Sequence, residues 1–174
     1  MKLYNLIFIF LSFTCYSQKI EWTTDTKLTP SDFKGSVPNI ISEEAAGSML
    51  SIEYKILSKS IWTGNIKIKV IPTFDTEESW IKPEYISENL MNHEQRHFEI
   101  LKFYSEKLQK IVNKEIKGIV DYNKKFQEIY DKNYAEYMKF QTKFDAETDH
   151  GANIEMQNKY DKIIEEMLNS CNCS

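Results

Sequence analysis

Proline does not occur in this chain after Pro83, and this feature constrains the fold more than any other. Proline removes a backbone hydrogen-bond donor and clashes with the preceding turn of a helix, so its absence allows long helices to form. Apolar residues beyond Pro83 recur at a spacing of three and four, which is the period of an amphipathic helix. The pattern predicts a first helix from Pro83 to a stop near Gly118, a second over about 121–142 and a third over about 152–168.

The preceding part of the chain has the period of two that is typical of β-strands. Alternation occurs in "KIEWTT" (19–24), "SMLSIEYKI" (48–56) and "NIKIKVIPTF" (65–74), and the last two segments are separated by a loop with Gly and Asn. These segments predict a short strand followed by an antiparallel hairpin, with one face of the sheet in water. We therefore expect an α+β fold in one domain, 18–174. Strands and loops would occupy 18–82, and three helices would occupy 83–169.

The first 17 residues have the pattern of a signal peptide. Lys2 precedes an almost wholly apolar run, Leu6–Phe13, which is too short to span a bilayer permanently. Cleavage after Ser17 would leave Gln18 as the new N-terminus, and the protein would be exported to the periplasm or the extracellular space. An uncleaved anchor or a buried first element is the alternative. Lipid attachment at Cys15 is disfavoured because the residues before it do not supply the expected small residue.

The charge of the chain argues against a nucleic-acid partner. The formal net charge is −4, and removal of residues 1–17 takes away one positive charge, Lys2, to leave −5. A mildly acidic surface without a basic block has no evident affinity for phosphate backbones. Cys171 and Cys173 are too close in sequence to bridge each other readily and are interpreted as incidental thiols in a frayed tail; pairing with another chain or metal binding is the alternative. No pattern in the sequence specifies an oligomeric state.

The segment "NHEQRHFEI" (92–100) places His93 and His97 four residues apart on the side of the first helix that carries its apolar stripe. Four residues advance a helix by about 400° and about 6 Å, so the two imidazoles stack on one face. Two such rings can bind one zinc ion through bonds of about 2.0–2.1 Å, with Glu94 beside them as a general base. The alternative is a pair of inward histidines that only make hydrogen bonds.

A catalytic zinc site needs a third protein ligand. The only other histidine is His150, which lies in "FDAETDHGAN" (144–153), a segment predicted to connect two helices. Glu147 in the same segment is the competing ligand, because sites with two histidines and one glutamate are common. Carboxylates that do not bind the metal, Asp145 and Asp149 among them, would orient the imidazoles by hydrogen bonding.

Three segments together resemble a known family, the predicted secreted zinc-dependent proteases of bacteria, which belong to the HExxH metallopeptidases. They are "LTPSDFKG" (28–35), "SWIKPEYISENLMNHEQRHFEI" (79–100) and "FDAETDHGANIEMQ" (144–157). Phe144 and Tyr160 depart from the tyrosine and tryptophan of the family pattern. The resemblance implies a zincin-like helical half, His93 and His97 as zinc ligands and Glu94 as the base. It favours His150 over Glu147 as the third ligand.

The leading hypothesis is thus a secreted zinc metalloprotease that hydrolyses peptide bonds in a peptide or protein substrate, with Zn²⁺ as its cofactor. The segment "NIKIKVIPTF" precedes the metal-binding helix and is expected to offer a strand edge to an extended substrate. A non-catalytic envelope binding protein, with a structural zinc or with no metal, is the alternative. A plain interaction module without a metal is the third hypothesis.

Overall fold

The computed structural model describes residues 18–23, 25–38 and 44–172 of the 174-residue chain. The predicted signal peptide, residues 1–17, lies outside the described residues, as does Cys173. None of the helices in the described ranges is long and apolar enough to cross a membrane.

Three antiparallel strands form one sheet. They are β1 (Lys19–Glu21), β2 (Ala46–Lys59) and β3 (Ile66–Ile81), and their order in the sheet is β1-β3-β2. The long strands pair in a register that sets Ile52 opposite Pro72. The predicted hairpin is confirmed, and both of its strands run beyond the segments whose alternation predicted them.

Three helices follow the sheet, so the predicted α+β fold is confirmed. They are α1 (Glu88–Glu115), α2 (Ile119–Thr148) and α3 (Ile154–Asn172). The hydroxyl of Ser87 caps α1 by accepting a hydrogen bond from the backbone N–H of Leu90 at 3.2 Å. This bond satisfies one of the backbone donors that the first turn of a helix leaves without a partner.

Two helix boundaries differ from the prediction by five residues or more. The first helix does not begin at Pro83, which starts a separate 3-10 turn, because the capping hydroxyl lies four residues further on. The second helix was expected to end at Thr142 but continues to Thr148. Phe144 and Thr148 are both fully buried and extend the inward stripe of the helix. Asp145 therefore lies on a helix and not in the predicted connecting segment.

The first helix is central to the packing, since it contacts the sheet and both other helices. It ends before Gly118, which caps the start of α2 and marks the predicted stop. Full burial of a large apolar side chain contributes about 1.5–3 kcal/mol, so this shared core firmly sets the positions of the three helices. The core includes Ile52, Phe74, Phe98, Leu101, Leu108, Phe144 and Ile164.

β3 is the central strand of the sheet, so the expectation that it offers an edge to an extended substrate is wrong. β1 and β2 flank it, and beyond the end of β1 the side chain of Gln109 covers its edge. The Gln109 amide accepts a hydrogen bond from Val70 N at 2.7 Å and donates one to Ile68 O at 3.1 Å. The outer strand on the opposite side of the sheet is β2.

Candidate metal centre

The two histidines of α1 face the interior, as the spacing predicted. His93 is 2% exposed, and the Nε2 atoms of His93 and His97 lie 3.0 Å apart. The two rings are almost perpendicular, at 87°, with their centroids 4.6 Å apart. The two Nε2 atoms thus converge on one point beside a cavity that the start of β2, α1 and α2 enclose.

Asp145, in the last turn of α2, brings a carboxylate to the same point. Its Oδ1 atom lies 2.8 Å from His97 Nε2 and 3.2 Å from His93 Nε2. This oxygen is buried and has no aligned hydrogen-bond donor. A buried carboxylate oxygen without a donor is costly, so its position calls for a cation or a proton.

Two glutamines determine which imidazole nitrogens carry hydrogen. Gln157 Oε1 lies 3.0 Å from His93 Nδ1, and Gln141 Oε1 lies 2.6 Å from His97 Nδ1. A carbonyl oxygen can only accept, so each Nδ1 atom donates and each neutral ring keeps a lone pair on Nε2. Three electron-rich atoms, two nitrogens and one carboxylate oxygen, therefore face one another.

The amide groups of the two glutamines are oriented by further contacts. Gln141 Nε2 donates to Tyr137 Oη at 2.9 Å and to the backbone oxygen of His97 at 3.2 Å. Gln157 Nε2 donates to Asp161 Oδ1 at 2.9 Å. With their NH₂ groups bound in these ways, the glutamines present oxygen to the rings. Hydrogen bonds of this kind set ring orientation and tautomer in metal-binding histidines.

The donor set fits a zinc ion. Tetrahedral zinc with bonds of about 2.0–2.1 Å holds its ligand atoms about 3.3 Å apart. The three atoms of His93, His97 and Asp145 lie 2.8–3.2 Å apart, so adjustments of a few tenths of an ångström suffice. Neutral imidazole and carboxylate are both ordinary zinc ligands.

The electrostatics of the metal-free site follow from the same contacts. Burial lowers the pKa of His97, but the contact that its protonated ring would make with Asp145, together with the charges of Glu94 and Asp145, outweighs burial and raises it. Burial raises the pKa of Asp145, but the neighbouring His93 and His97 lower it well below its usual range. The two carboxylates would thus stabilise a proton on His97 when no metal is bound.

Packing holds the imidazole of His93 in place on two sides. The ring of Phe144 stacks on it, with the ring centroids 4.6 Å apart and the planes at 22°. On another side, a Cβ atom placed on Gly151 would come within 3.0 Å of His93 Cβ and Cγ. Gly151 has φ +85°, and the two residues before it also have positive φ, which lets the turn after α2 pass this close.

Glu94 lies next to the histidines and faces the cavity. It is 5% exposed, and its Oε2 atom accepts a hydrogen bond from Ser48 Oγ of β2 at 2.5 Å. The cavity has a volume of about 320 Å³ and is bounded by the start of β2, by α1 and by α2. Among the tyrosines that the structure describes, Tyr134 and Tyr137 line it.

The other two predicted metal ligands, His150 and Glu147, differ in their contacts with Asp145. His150 is exposed, and its Nδ1 atom is 3.9 Å from Asp145 Oδ1. His93, Asp145 and His150 form a group whose ligand atoms all lie within 4.8 Å of one another. Glu147 instead accepts a hydrogen bond from Tyr160 Oη at 2.7 Å.

Asp149 ends α2 in a left-handed conformation, with φ 49°, and its side chain is exposed. The structure thus brings together His93, His97 and Asp145, and it places Glu147 away from them. Asp145 was predicted only to orient an imidazole. Its helical spacing from Gln141, four residues, is the signal that could have placed both on the inward face.

A chain of polar side chains that the sequence reasoning missed runs outward from His93. Beyond Gln157, the oxygen atom Asp161 Oδ1 also accepts a hydrogen bond from Arg96 Nε at 3.0 Å. Arg96 in turn contacts Glu99 at 2.6 Å and Glu165 at 3.0 Å. Residues in α1 and α3 are therefore joined behind the ring, on the side opposite the cavity.

Comparisons with models of protein families, with curated proteins and with solved structures gave no match.

Proposed function

We propose that this protein is an exported zinc-dependent peptidase in which His93, His97 and Asp145 hold the metal. The observation that carries the proposal is the buried Asp145 Oδ1 atom, which lacks an aligned donor and faces two imidazole nitrogens. Gln141 and Gln157 keep those nitrogens free of hydrogen. Many catalytic zinc sites have two histidines and one carboxylate as ligands, and here a cavity lies beside them.

Glu94 is the general base in this proposal. Bound zinc would polarise the scissile carbonyl and lower the pKa of a water molecule to about 7. Glu94 takes the proton of the attacking water and delivers it to the leaving amine. Ser48 holds one oxygen of the Glu94 carboxylate at 2.5 Å, which orients the group toward the cavity.

The start of β2 is the surface proposed to bind an extended peptide. Residues 46–50 line the cavity. Further along, the Ile52 carbonyl on the outer edge of β2 accepts a hydrogen bond from Tyr130 Oη of α2 at 2.8 Å. Because α2 occupies the edge of β2 at Ile52, strand addition by a substrate is confined to the segment before it.

Zinc content of the purified exported protein tests the proposal. We expect about one zinc per chain, and we expect loss of zinc in His93→Ala and Asp145→Ala. Glu147→Ala is the matched control, since this carboxylate is bound to Tyr160, and it should keep its zinc. Full zinc content in a folded Asp145→Ala protein would show that Asp145 is not a zinc ligand and would refute the proposal.

Glu94→Gln separates metal binding from catalysis. This variant should keep zinc and lose hydrolysis of a peptide library, because the amide cannot accept the proton of the attacking water. Unchanged hydrolysis by Glu94→Gln would refute the role of Glu94.

A structural zinc is the second candidate, and the position of His150 favours it. If His150 joined His93, His97 and Asp145, four protein ligands would close the site, as in structural zinc centres. Cobalt substitution distinguishes the two candidates, since added azide can bind the cobalt of an open site and alter its visible spectrum. An azide-insensitive spectrum that becomes sensitive in His150→Ala would favour the structural zinc.

A further inference from the structure

The outer end of the β2–β3 hairpin, residues 54–69, differs in charge from the rest of the protein. It contains four lysines, Lys55, Lys59, Lys67 and Lys69, and no acidic residue, whereas the whole chain has a net charge of −4. Lys55 and Lys69 both lie near Glu21, at 3.5 and 3.6 Å. Within the described part of the chain, no carboxylate pairs with Lys59 or Lys67. We call residues 54–69 the basic hairpin.

Two large apolar side chains stand at the tip of the basic hairpin. Trp62 is 92% exposed and Ile61 is 79% exposed, the two highest values among the exposed large apolar residues described. Leu57, on the adjoining strand, is 52% exposed. Large apolar side chains exposed close together mark interaction surfaces, whereas single exposed ones are normal on a protein surface.

The tip is an ordered turn. Ser60 N donates to Asn65 O at 2.9 Å, and Gly64 adopts φ +72°. Gly64 O accepts a hydrogen bond from Ile119 N, at the start of α2, at 2.8 Å. The turn is thus attached to the helical half, and Trp62 and Ile61 are presented by a supported hairpin.

We propose that the basic hairpin docks on an anionic lipid bilayer. Tryptophan prefers the interface between headgroups and acyl chains, and Ile61 adds apolar surface at the same depth. Lys59 and Lys67 would lie over the negatively charged headgroups, each contributing roughly a fivefold gain in affinity. The proposal concerns a surface remote from the metal centre and does not depend on the proposed function.

A bilayer suits this surface better than a protein partner. A stable protein interface buries about 800 Å² on each partner around a well-packed centre. The tip carries two highly exposed apolar side chains, Ile61 and Trp62, which are too few to form such a centre. Ser48, beside the cavity, and Lys59 are separated by roughly 35 Å of extended strand, so docking would leave the cavity accessible.

Sedimentation of the purified exported protein with lipid vesicles tests the proposal. We expect binding to vesicles of mixed phosphatidylglycerol and phosphatidylcholine, and much weaker binding to phosphatidylcholine alone. The double variant Lys59→Gln/Lys67→Gln should bind the mixed vesicles roughly 25-fold more weakly, at about fivefold for each lysine. Trp62→Ala should also weaken binding and should abolish quenching of protein fluorescence by brominated lipid.

Two matched controls carry similar changes at the other end of the molecule. Lys143, near the end of α2, has a side chain that is 63% exposed, and Ile154, at the start of α3, is 53% exposed. Lys143→Gln and Ile154→Ala should bind like the unaltered protein. Failure to bind mixed vesicles, or binding that the hairpin variants leave unchanged, would overturn the proposal. The first outcome would leave the hairpin as a contact surface for another protein.

Discussion

Removal of the Asp161 carboxylate should weaken zinc binding, although this group does not itself face the proposed metal. In the structure, Gln157 Nε2 donates to Asp161 Oδ1 at 2.9 Å, which turns Gln157 Oε1 toward His93 Nδ1. In Asp161→Ala the Gln157 amide loses the acceptor that holds its NH₂ group away from His93. A flipped amide would then donate to Nδ1, and the hydrogen of His93 would move to Nε2, the atom proposed to bind zinc.

The magnitude follows from the bond that is lost. A hydrogen bond to a charged acceptor contributes about 1.5–3 kcal/mol. In the metal-free variant, the hydrogen on His93 Nε2 would also meet Asp145 Oδ1, 3.2 Å away, which favours the flipped state. Zinc would have to reverse that preference, so its affinity should fall roughly 10- to 100-fold, the range measured for outer partners of metal-binding histidines.

The assay is zinc titration against a competing chromophoric chelator, with ¹⁵N NMR of the histidine rings in the metal-free protein. We expect weaker binding in Asp161→Ala and a hydrogen on His93 Nε2. Asp161→Asn keeps an acceptor oxygen and should largely restore both properties. Glu165→Ala removes another partner of Arg96 without a contact to Gln157, and it should behave like the unaltered protein.

Unchanged zinc affinity and an unchanged tautomer in a folded Asp161→Ala protein would refute this reasoning. If the unaltered protein bound no zinc, the proposed function would fail, and the NMR measurement would still test the orientation of Gln157.

Three further predictions concern the same site. Gly151→Ala should destabilise the protein by about 1–3 kcal/mol in urea unfolding, because φ is +85° and the added Cβ would press on His93; equal stability would contradict this packing. Phe144→Ala removes a fully buried ring that stacks on His93, so the free energy of unfolding should fall by about 3–5 kcal/mol, and a loss below 1 kcal/mol would be inconsistent with that burial. The metal-free protein should lose thermal stability below about pH 4, because the lowered pKa of Asp145 stabilises the folded state only above the unfolded value. It should also lose stability above about pH 6.5, because the raised pKa of His97 stabilises the folded state only while that ring is protonated. Excess zinc should remove this alkaline loss, which melting temperatures measured with and without a chelator would test. An alkaline loss that persisted with zinc would show that His97 is not a zinc ligand.

Much of the local structure could be predicted from the sequence. The alternation in "SMLSIEYKI" and "NIKIKVIPTF" predicted the hairpin, and the spacing of apolar residues after Pro83 predicted three helices. The end of α2 could not be found in this way, because Asp145, Glu147 and Asp149 resemble the polar residues of a loop. That segment is helical through Thr148 because Phe144 and Thr148 are fully buried, and Phe144 packs on His93 of α1 and Tyr160 of α3.

The sequence by itself determined that His93 and His97 share the inward face of α1, with Glu94 beside them, since the period of a helix follows from local backbone geometry. Only the tertiary structure decided that Asp145, and not Glu147, lies against the two rings, and that β2 rather than β3 borders the cavity. These choices depend on how α2 and the sheet pack against α1. Packing joins residues that are distant in sequence, and no local period specifies which of them meet.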